Sequence, residues 1–233
     1  MSLSSVAIII PVLNEGDQTA NLIQRLLLQM RPTDSIIVVD GGSTDNGLSQ
    51  VPALSNITLS ASAPGRAMQM NHGATLADAQ WLWFLHVDSD VPDNALSLIR
   101  ALPERAQWGR FNIRLEGQRR LFAVISAMMN WRSQFTGVAT GDQGIFIRKP
   151  LFDAIGGYPD QLLMEDVALS VGAKRHAKPV CLKQTLVTSS RRWRENGAWR
   201  TILLMWWLRW QYWRGEDPAV LYQKYYGNDY GSS

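Results

Sequence analysis

Short apolar runs alternate with amphipathic stretches through the first half of the chain, and this alternation constrains the fold more than any other feature. Continuous apolar runs of strand length occupy Val6–Pro11, Ile36–Asp40 and Trp81–His86. Between the first two runs, apolar residues recur at helical spacing, namely Leu22, Ile23, Leu26, Leu27 and Met30. Apolar strands that alternate with helices form parallel sheets covered on both faces. The sequence therefore predicts an α/β fold whose ligands bind beyond the carboxyl ends of the strands.

Weaker signals of the same kind continue along the chain. Ile57–Ser60 has the pattern of a third strand, and Ala67–Ala79 that of a helix that leads into the run at Trp81. In the less regular second half, Phe111–Leu115 indicates a strand and Leu121–Trp131 a helix. We therefore expect the sheet to extend into the second half of the chain.

Composition favours a globular protein in a reducing compartment. Hydrophobic residues make up 46% of the 233 residues and charged residues 18%, which is typical of a chain with one packed core. The single cysteine, Cys181, has no partner for an internal disulfide. The start of the chain has an apolar run without a preceding basic segment, so we interpret it as the first strand and not as a signal peptide. Together these features predict a cytoplasmic protein.

Carboxylates stand at or just beyond the ends of two predicted strands. Asp40 closes the second strand, while Asp88 and Asp90 follow the strand that ends at His86. In an extended segment, residues two apart point the same way, so Asp88 and Asp90 are expected to face one ligand together. Two carboxylates on one side suit Mg²⁺ or Mn²⁺ bridging a diphosphate. The same letters also occur in helix caps and solvated turns, and both alternatives stay open at this point.

The order of several motifs resembles glycosyltransferase family 2. Four segments carry the resemblance: Pro11–Glu15, Asp40–Asp45, Asp88–Asp90 and Glu165-Asp166. Other stretches are similar to a bacterial subgroup described as radical-SAM/selenodomain-associated transferases, namely Gly65–Asn71, Leu85-His86 and Ser189–Trp193. The resemblance implies a GT-A fold, with a Rossmann-like, mostly parallel sheet and helices on both faces. We expect this domain to span residues 1–190, with a tryptophan-rich helical extension over residues 191–233 packed on it.

For the donor, the resemblance implies a nucleotide-sugar site made of five residues. Pro11 and Glu15 match the loop that borders the nucleotide, and Asp40 matches the acid that reads the base, which makes a UDP-sugar the favoured donor. Arg66 matches a basic residue near the nucleotide, and Asp88 one that touches ribose or metal. Many family members have a second Asp where this chain has Gly41, so the base preference is less fixed here than in those members.

For catalysis, the resemblance implies an inverting, metal-dependent transfer. Asp90 matches the metal ligand proper. Asp166 matches the general base that takes the proton of the acceptor hydroxyl, and its neighbour Glu165 is the nearest rival for that role. An acidic pair at the start of a helix is also favoured by the helix dipole, with or without a catalytic role.

The acceptor side is implied by two further motifs. Asp142 and Gln143 match a loop that faces the acceptor, although a plain turn fits the same letters. Arg192 and Trp193 belong to a weakened form of a Gln-x-x-Arg-Trp motif found in processive relatives, and an arginine there is suited to contact the diphosphate. The acceptor itself stays open between lipid-linked, small-molecule and protein substrates, as do the sugar and the oligomeric state.

A tryptophan-rich helix is predicted over Trp199–Trp213. Its stripe has steps of four, three, four and three residues, and consists of Trp199, Leu203, Trp206, Trp210 and Trp213. The apolar run is far shorter than the ~20 residues that span a bilayer. Three interpretations remain open: a helix docked on the core, a dimer interface, or a helix lying on the inner face of the membrane. Flanking arginines favour peripheral membrane contact.

Other functional classes are weaker. A dehydrogenase is disfavoured because Pro11–Gly16 stands where a Gly-x-Gly-x-x-Gly loop would follow the first strand. A non-catalytic nucleotide-sugar binder or membrane-surface adaptor with the same fold is the main alternative, and the joint presence of Asp40, Asp88, Asp90 and Asp166 counts against it. Nucleic-acid binding ranks last, because the aromatic residues form helical stripes.

Overall fold

A computed structural model describes residues 4–45, 47–118, 120–190 and 197–227. Within them one mixed sheet has eight strands in the order β3-β2-β1-β4-β7-β6-β8-β5. The strands are β1 (Val6–Val12), β2 (Ser35–Asp40), β3 (Ile57–Ala61), β4 (Trp81–Phe84), β5 (Ser89–Asp90), β6 (Trp108–Leu115), β7 (Phe146–Arg148) and β8 (Val180–Thr188). Strands β3, β2, β1 and β4 are parallel, whereas β7 pairs antiparallel with both β4 and β6. The predicted α/β, mostly parallel GT-A architecture is confirmed.

Helices cover both faces of the sheet and continue beyond it at the C-terminal end. They are α1 (Gly16–Leu27), α2 (Arg66–Leu76), α3 (Ala95–Arg100), α4 (Arg120–Thr136), α5 (Lys149–Ala154), α6 (Glu165–Lys174), α7 (Ala198–Trp213) and α8 (Pro218–Tyr226). Two short 3₁₀ helices lie at Gly47–Gln50 and Gly141–Gln143. In the part of the chain that the structure describes, none of the helices is long and apolar enough to cross a bilayer.

Strand β1 explains why the sheet is covered on both sides. Its side chains alternate between two hydrophobic clusters, with Ile8 and Ile10 in the cluster that includes α1 and α3, and Ile9 in the cluster that includes α2, α5 and α6. Because successive strand residues point to opposite faces, an unbroken apolar strand requires a helix layer on each. Every residue of β1 is accordingly buried.

The helical layer on one face is fixed by a buried ion pair. Asp34, which is fully buried, accepts hydrogen bonds from the backbone N–H groups of Val6 at 3.0 Å and Arg31 at 2.8 Å. Its carboxylate also lies 2.5 Å from the guanidinium of Arg100 at the end of α3. The acid therefore connects the start of β1 to α3, and its hydrogen bonds compensate the loss of water around it.

The observed elements differ from the predicted ones mainly at their ends. The strand predicted at Phe111–Leu115 begins three residues earlier, and the helix predicted to end at Trp131 continues to Thr136. The strand predicted over Trp81–His86 stops at Phe84, and a turn at Val87-Asp88 follows it. Asp88 therefore does not lie in an extended segment with Asp90.

The four members of the tryptophan stripe whose side chains the structure describes do not face the core, so the interpretation as a core-docked stripe is wrong for them. Trp206 is 57% exposed and Trp213 is 84% exposed, and Leu203 and Trp210 are exposed as well. The opposite side of α7 is the packed one, where Leu208 is fully buried against Met164 and residues of α8.

Candidate functional site

The carboxyl ends of β1 and β2 are tied together by hydrogen bonds of polar side chains. The backbone N–H and hydroxyl of Ser43 donate to Oδ1 of Asp40 at 2.9 and 2.6 Å, and the same hydroxyl accepts from the N–H of Asn14 at 2.9 Å. Asn14 adopts a left-handed conformation with φ of 55°, and its Oδ1 accepts from the N–H of Thr44. The predicted nucleotide loop, with Pro11 and Asp40, is thus held in one conformation at the carboxyl ends of these two strands.

Gln69 also supports these strand ends, and the sequence analysis did not identify it. It is buried in α2, and its Nε2 donates to the carbonyl groups of Val12 and Val39, each at 2.8 Å. A side chain at Gly41 would meet it, because a Cβ atom there would lie 3.0 Å from Cδ of Gln69. This contact gives a physical reason for glycine where many family members have aspartate.

A cavity of about 480 Å³ lies between the carboxyl end of the sheet and helices α4, α6, α7 and α8. Four acidic side chains from three distant parts of the sequence line it, namely Asp88, Asp142, Glu165 and Asp166. Arg66 and His86 also line it, whereas Pro11, Glu15 and Asp40 do not. The structure therefore brings together Asp88, Arg66 and the predicted catalytic pair, with the nucleotide-base residues along the neighbouring strand ends.

Asp166 is held by backbone groups at the start of α6. Its Oδ2 accepts from the N–H of Gly141 and its Oδ1 from the N–H of Val167, both at 2.7 Å. The preceding residue, Met164, has a left-handed conformation with φ of 66°, which turns the chain into the helix. A carboxylate in this position is favoured by the helix dipole and by two N–H donors.

The neighbouring acid, Glu165, is in a different electrostatic environment. Its side chain is buried, and burial together with the charge of Asp166 raises the pKa of Glu165 from 4.5 to about 7. Burial and the nearby Arg66 lower the pKa of His86 to about 3, so this imidazole is neutral at physiological pH. Of the predicted catalytic pair, Asp166 is the one surrounded by donors suited to an ionised carboxylate.

The predicted acceptor loop divides between two roles. Asp142 lines the cavity, contacts the hydroxyl of Thr140, and has its pKa raised by burial and by the charge of Asp166. Gln143 is fully buried, and its Oε1 accepts from the N–H of Thr140 at 3.1 Å in a capping box. The structure thus brings Asp142 to the cavity and uses Gln143 to hold the 3₁₀ turn.

Asp90 lies away from the cavity. It is in the two-residue strand β5, and its carboxylate contacts the guanidinium of Arg25 on α1 in a separate groove that Glu116 also lines. Asp88 lines both this groove and the cavity. The two acids therefore share the groove, and Asp88 is the one of the two that also lines the cavity, because the chain turns at Asp88. Arg192 and Trp193 lie outside the described residues.

Two arginines complete the lining on the side of α4 and α7. Arg132 donates from Nη1 to the carbonyl of Val138 at 3.4 Å, while its Nε and Nη2 are buried without a hydrogen-bond partner among the described residues. Nε of Arg209 is in the same situation. Neither residue belongs to a motif. The signal that would have identified them is that each arginine follows apolar residues of its own helix at helical spacing.

Comparison with known proteins places this geometry in a family context. The family model described as Glycosyl transferase family 2 matches residues 7–106. No curated protein matches the chain in sequence.

Among solved structures, residues 1–349 of TarS from S. aureus in complex with UDP-GlcNAc have a TM-score of 0.63 at 17% identity, covering 79% of this chain and 58% of theirs. The mannosyltransferase PcManGT from Pyrobaculum calidifontis, in complex with GDP-Man and Mn²⁺, has a TM-score of 0.64 at 18% identity, covering 95% of this chain and 69% of its own. The chain spans about three fifths of the length of the TarS structures. At these identities the structural likeness establishes the fold.

Proposed function

We propose that this chain, which carries a family 2 glycosyltransferase domain, transfers a sugar from a nucleotide-sugar to an acceptor hydroxyl with inversion at the anomeric carbon. The observation that carries the proposal is the cavity, which joins Asp88 after β4 to Asp166 at the start of α6. A donor held along the carboxyl ends of β1, β2 and β4 would present its sugar to that carboxylate. The motifs at Gly65–Asn71 and Ser189–Trp193 further support the radical-SAM/selenodomain-associated subgroup.

We propose a UDP-sugar as donor. TarS has been solved with UDP and UDP-GlcNAc, and PcManGT with GDP-Man, which supports a nucleotide-sugar without fixing its base. Asp40 stands at the end of β2, and its Oδ1 is held by Ser43. A carboxylate fixed in this way is suited to accept from the N3–H of uracil, while Pro11 and Glu15 border the nucleotide and Arg66 lies near its phosphates.

The proposed transfer uses Mg²⁺ or Mn²⁺. Among the described residues, no three His, Cys, Asp or Glu side chains are grouped to hold a metal. A cation on a diphosphate needs only one or two carboxylates, because phosphates and water supply its other oxygens. Asp88 fits this requirement, because it is exposed and lines the cavity. Its Oδ2 accepts a hydrogen bond from the hydroxyl of Thr188 at 3.4 Å. We propose Asp90 as second ligand, which requires it to leave Arg25. The cation would offset charge on the departing diphosphate.

Asp166 is the proposed general base. Its carboxylate takes the proton of the acceptor hydroxyl while that oxygen attacks the anomeric carbon from the face opposite the diphosphate. The N–H groups of Gly141 and Val167 hold it for this task. Glu165 is less suited because its side chain is buried, although its pKa of about 7 is in the range of a general base. Asp142 contributes a polar contact on the acceptor side, and Arg192 and Trp193 are proposed to contact the diphosphate.

Peripheral attachment to the cytoplasmic face of a membrane is a further part of the proposal. Leu203, Trp206, Trp210 and Trp213 form an exposed apolar strip on α7. Tryptophan is enriched at membrane interfaces, and Arg214 lies at the end of the same helix, where it can meet anionic lipid.

The decisive experiment measures release of UDP from a panel of UDP-sugars with Mn²⁺ and no acceptor. We expect slow hydrolysis of at least one donor by the wild type, and a loss of ~10²–10⁴-fold in Asp166→Asn, the usual contribution of a positioned base. Asp88→Asn and Asp90→Asn should each weaken the Mn²⁺ dependence of UDP binding. Asp160→Asn, an exposed acid outside the cavity, is the matched control. Donor binding without any release of UDP would favour the non-catalytic binder instead.

A further inference from the structure

The cavity has a second half that the donor and the base do not explain. Besides Trp131 on α4 and Thr201 on α7, the lining includes Ile125, Met128, Met129 and Arg132 on α4, and Ile202, Met205, Trp206 and Arg209 on α7. Both sets have the same spacing of i, i+3, i+4 and i+7, which places each set on one face of its helix. Each helix therefore presents three apolar side chains followed, one turn later, by an arginine.

The two faces are aligned with each other. Ile202 packs against the cluster that contains Ile125, which brings the apolar ends of the two faces together. At the other end the charge of Arg209 is close enough to lower the pKa of Arg132, which burial already lowers, to about 10. Because seven residues of helix rise roughly 10 Å, the two faces form an apolar groove about that long, with both guanidinium groups at one end.

The two guanidinium groups have hydrogen-bond donors that the described part of the chain leaves unused. Neither forms an ion pair with a carboxylate among the described residues, and buried N–H groups of both have no hydrogen-bond partner there. The charges of Asp142 and Asp166 act on Arg132 without forming an ion pair with it, and burial disfavours the charged form of Asp142. Two adjacent cations held without a partner are costly unless an anion binds between them.

We infer that this half of the cavity binds an anionic amphiphile, with its phosphate or carboxylate between Arg132 and Arg209 and its apolar chain along the groove. Resting on the proposed function, this identifies the acceptor class: a hydroxyl next to an anionic group, carried on a hydrocarbon chain. The arginines would hold the anion by charge-assisted hydrogen bonds, which places the neighbouring hydroxyl towards Asp166. The groove excludes short polar acceptors because they leave its apolar walls uncovered.

The acceptor, and not the donor's diphosphate, is the occupant that the geometry favours. The arginines share their helix faces with the apolar residues, and a diphosphate offers nothing to cover those walls. The residues proposed for the base of the nucleotide lie outside this cavity, along the ends of β1 and β2. An anion joined to an apolar chain satisfies both features at once.

Calorimetry without donor tests the inference, using n-decyl phosphate below its aggregation concentration as the probe. We expect it to bind at least about tenfold more tightly than inorganic phosphate or decanol, because only the joined molecule uses both ends of the groove. Arg132→Gln and Arg209→Gln should each weaken its binding about tenfold or more. Arg214→Gln, an exposed arginine of the same helix outside the cavity, should bind as the wild type does.

Binding of UDP with Mn²⁺, measured on the same variants, separates the possible failures. Unchanged UDP binding would show that each variant is folded and that the decyl phosphate site is distinct from the donor site. Equal loss of UDP and decyl phosphate binding in variants with wild-type circular dichroism would assign the arginines to the diphosphate and overturn the inference. Equal affinity for decyl phosphate and inorganic phosphate would overturn it too. Since no turnover is measured, a failure of the proposed transfer would leave these results standing.

Discussion

Replacing Glu165 by glutamine should stabilise the protein in a strongly pH-dependent way. The side chain is 8% exposed and lies beside Asp166, so the folded protein resists placing a second negative charge there. Glutamine has nearly the same shape and no charge at any pH. The variant therefore isolates the electrostatic cost of ionising this acid within the cavity.

The magnitude follows from the raised pKa. Between pH 4.5 and about 7, Glu165 is protonated in the folded state and ionised in the unfolded state. The folded state then binds more protons, so the free energy of unfolding falls as pH rises, by about 1.4 kcal/mol per pH unit. The contribution is fully present below pH 4.5 and is lost above about pH 7. Between pH 5 and pH 8 we expect the wild type to lose roughly 2–3 kcal/mol relative to Glu165→Gln.

Urea unfolding of both proteins at pH 5 and pH 8 measures this double difference. Glu116→Gln, which replaces an exposed glutamate outside the cavity, is the matched control. A difference between wild type and Glu165→Gln that stays constant within about 0.5 kcal/mol would refute the raised pKa. The assignment of Asp166 as the base is tested separately: Glu165→Gln should retain transfer while Asp166→Asn loses it.

Two further predictions concern the support of Asp166 and the surface of α7. Gly141→Ala should lower turnover and leave the fold intact. Its new Cβ would lie 2.7 Å from the ring of His86 and would displace the N–H that holds Asp166. Gly172→Ala is the control, because its Cβ would lie at an ordinary distance of 3.7 Å from Ile155. In flotation with anionic liposomes at low salt, the wild type should rise with the vesicles and the double substitution of Trp206 and Trp213 by serine should remain in the soluble fraction. If the wild type does not float with the vesicles, the exposed strip on α7 is better explained as a dimer interface.

The sheet was predictable because its signal is local. Strands β1, β2 and β4 are buried on both faces, so nearly every residue in them is apolar and the pattern cannot be mistaken for an alternating one. Strand β3 gave a weaker signal because it lies at the edge of the sheet, where Leu59 is 51% exposed. The extra residues of β6 were hidden by Gly109, which has no side chain and lies against the ring of Phe146.

The candidate site was only partly predictable, because motifs do not specify the direction of a turn. Asp88 and Asp90 are two residues apart, yet the turn at Val87-Asp88 sends one acid to the cavity and the other to Arg25. Gln143 matched an acceptor motif and is instead a buried cap. For Asp90 a contact with a residue far along the chain decides where the side chain goes, whereas for Gln143 the local capping box with Thr140 does.

The proposed nucleotide site and the apolar groove also differ in how the sequence encodes them. The nucleotide site is built from strand ends, where a short motif such as Asp40–Ser43 fixes its own geometry through local hydrogen bonds. The groove is built from faces of α4 and α7, whose matching positions are 77 residues apart and which become one surface only when both helices pack. Ile125 and Met205 belong to clusters that contain no residue of β1, β2 or β4. We therefore expect substitutions on these two helix faces to alter the choice of acceptor while the donor preference stays the same.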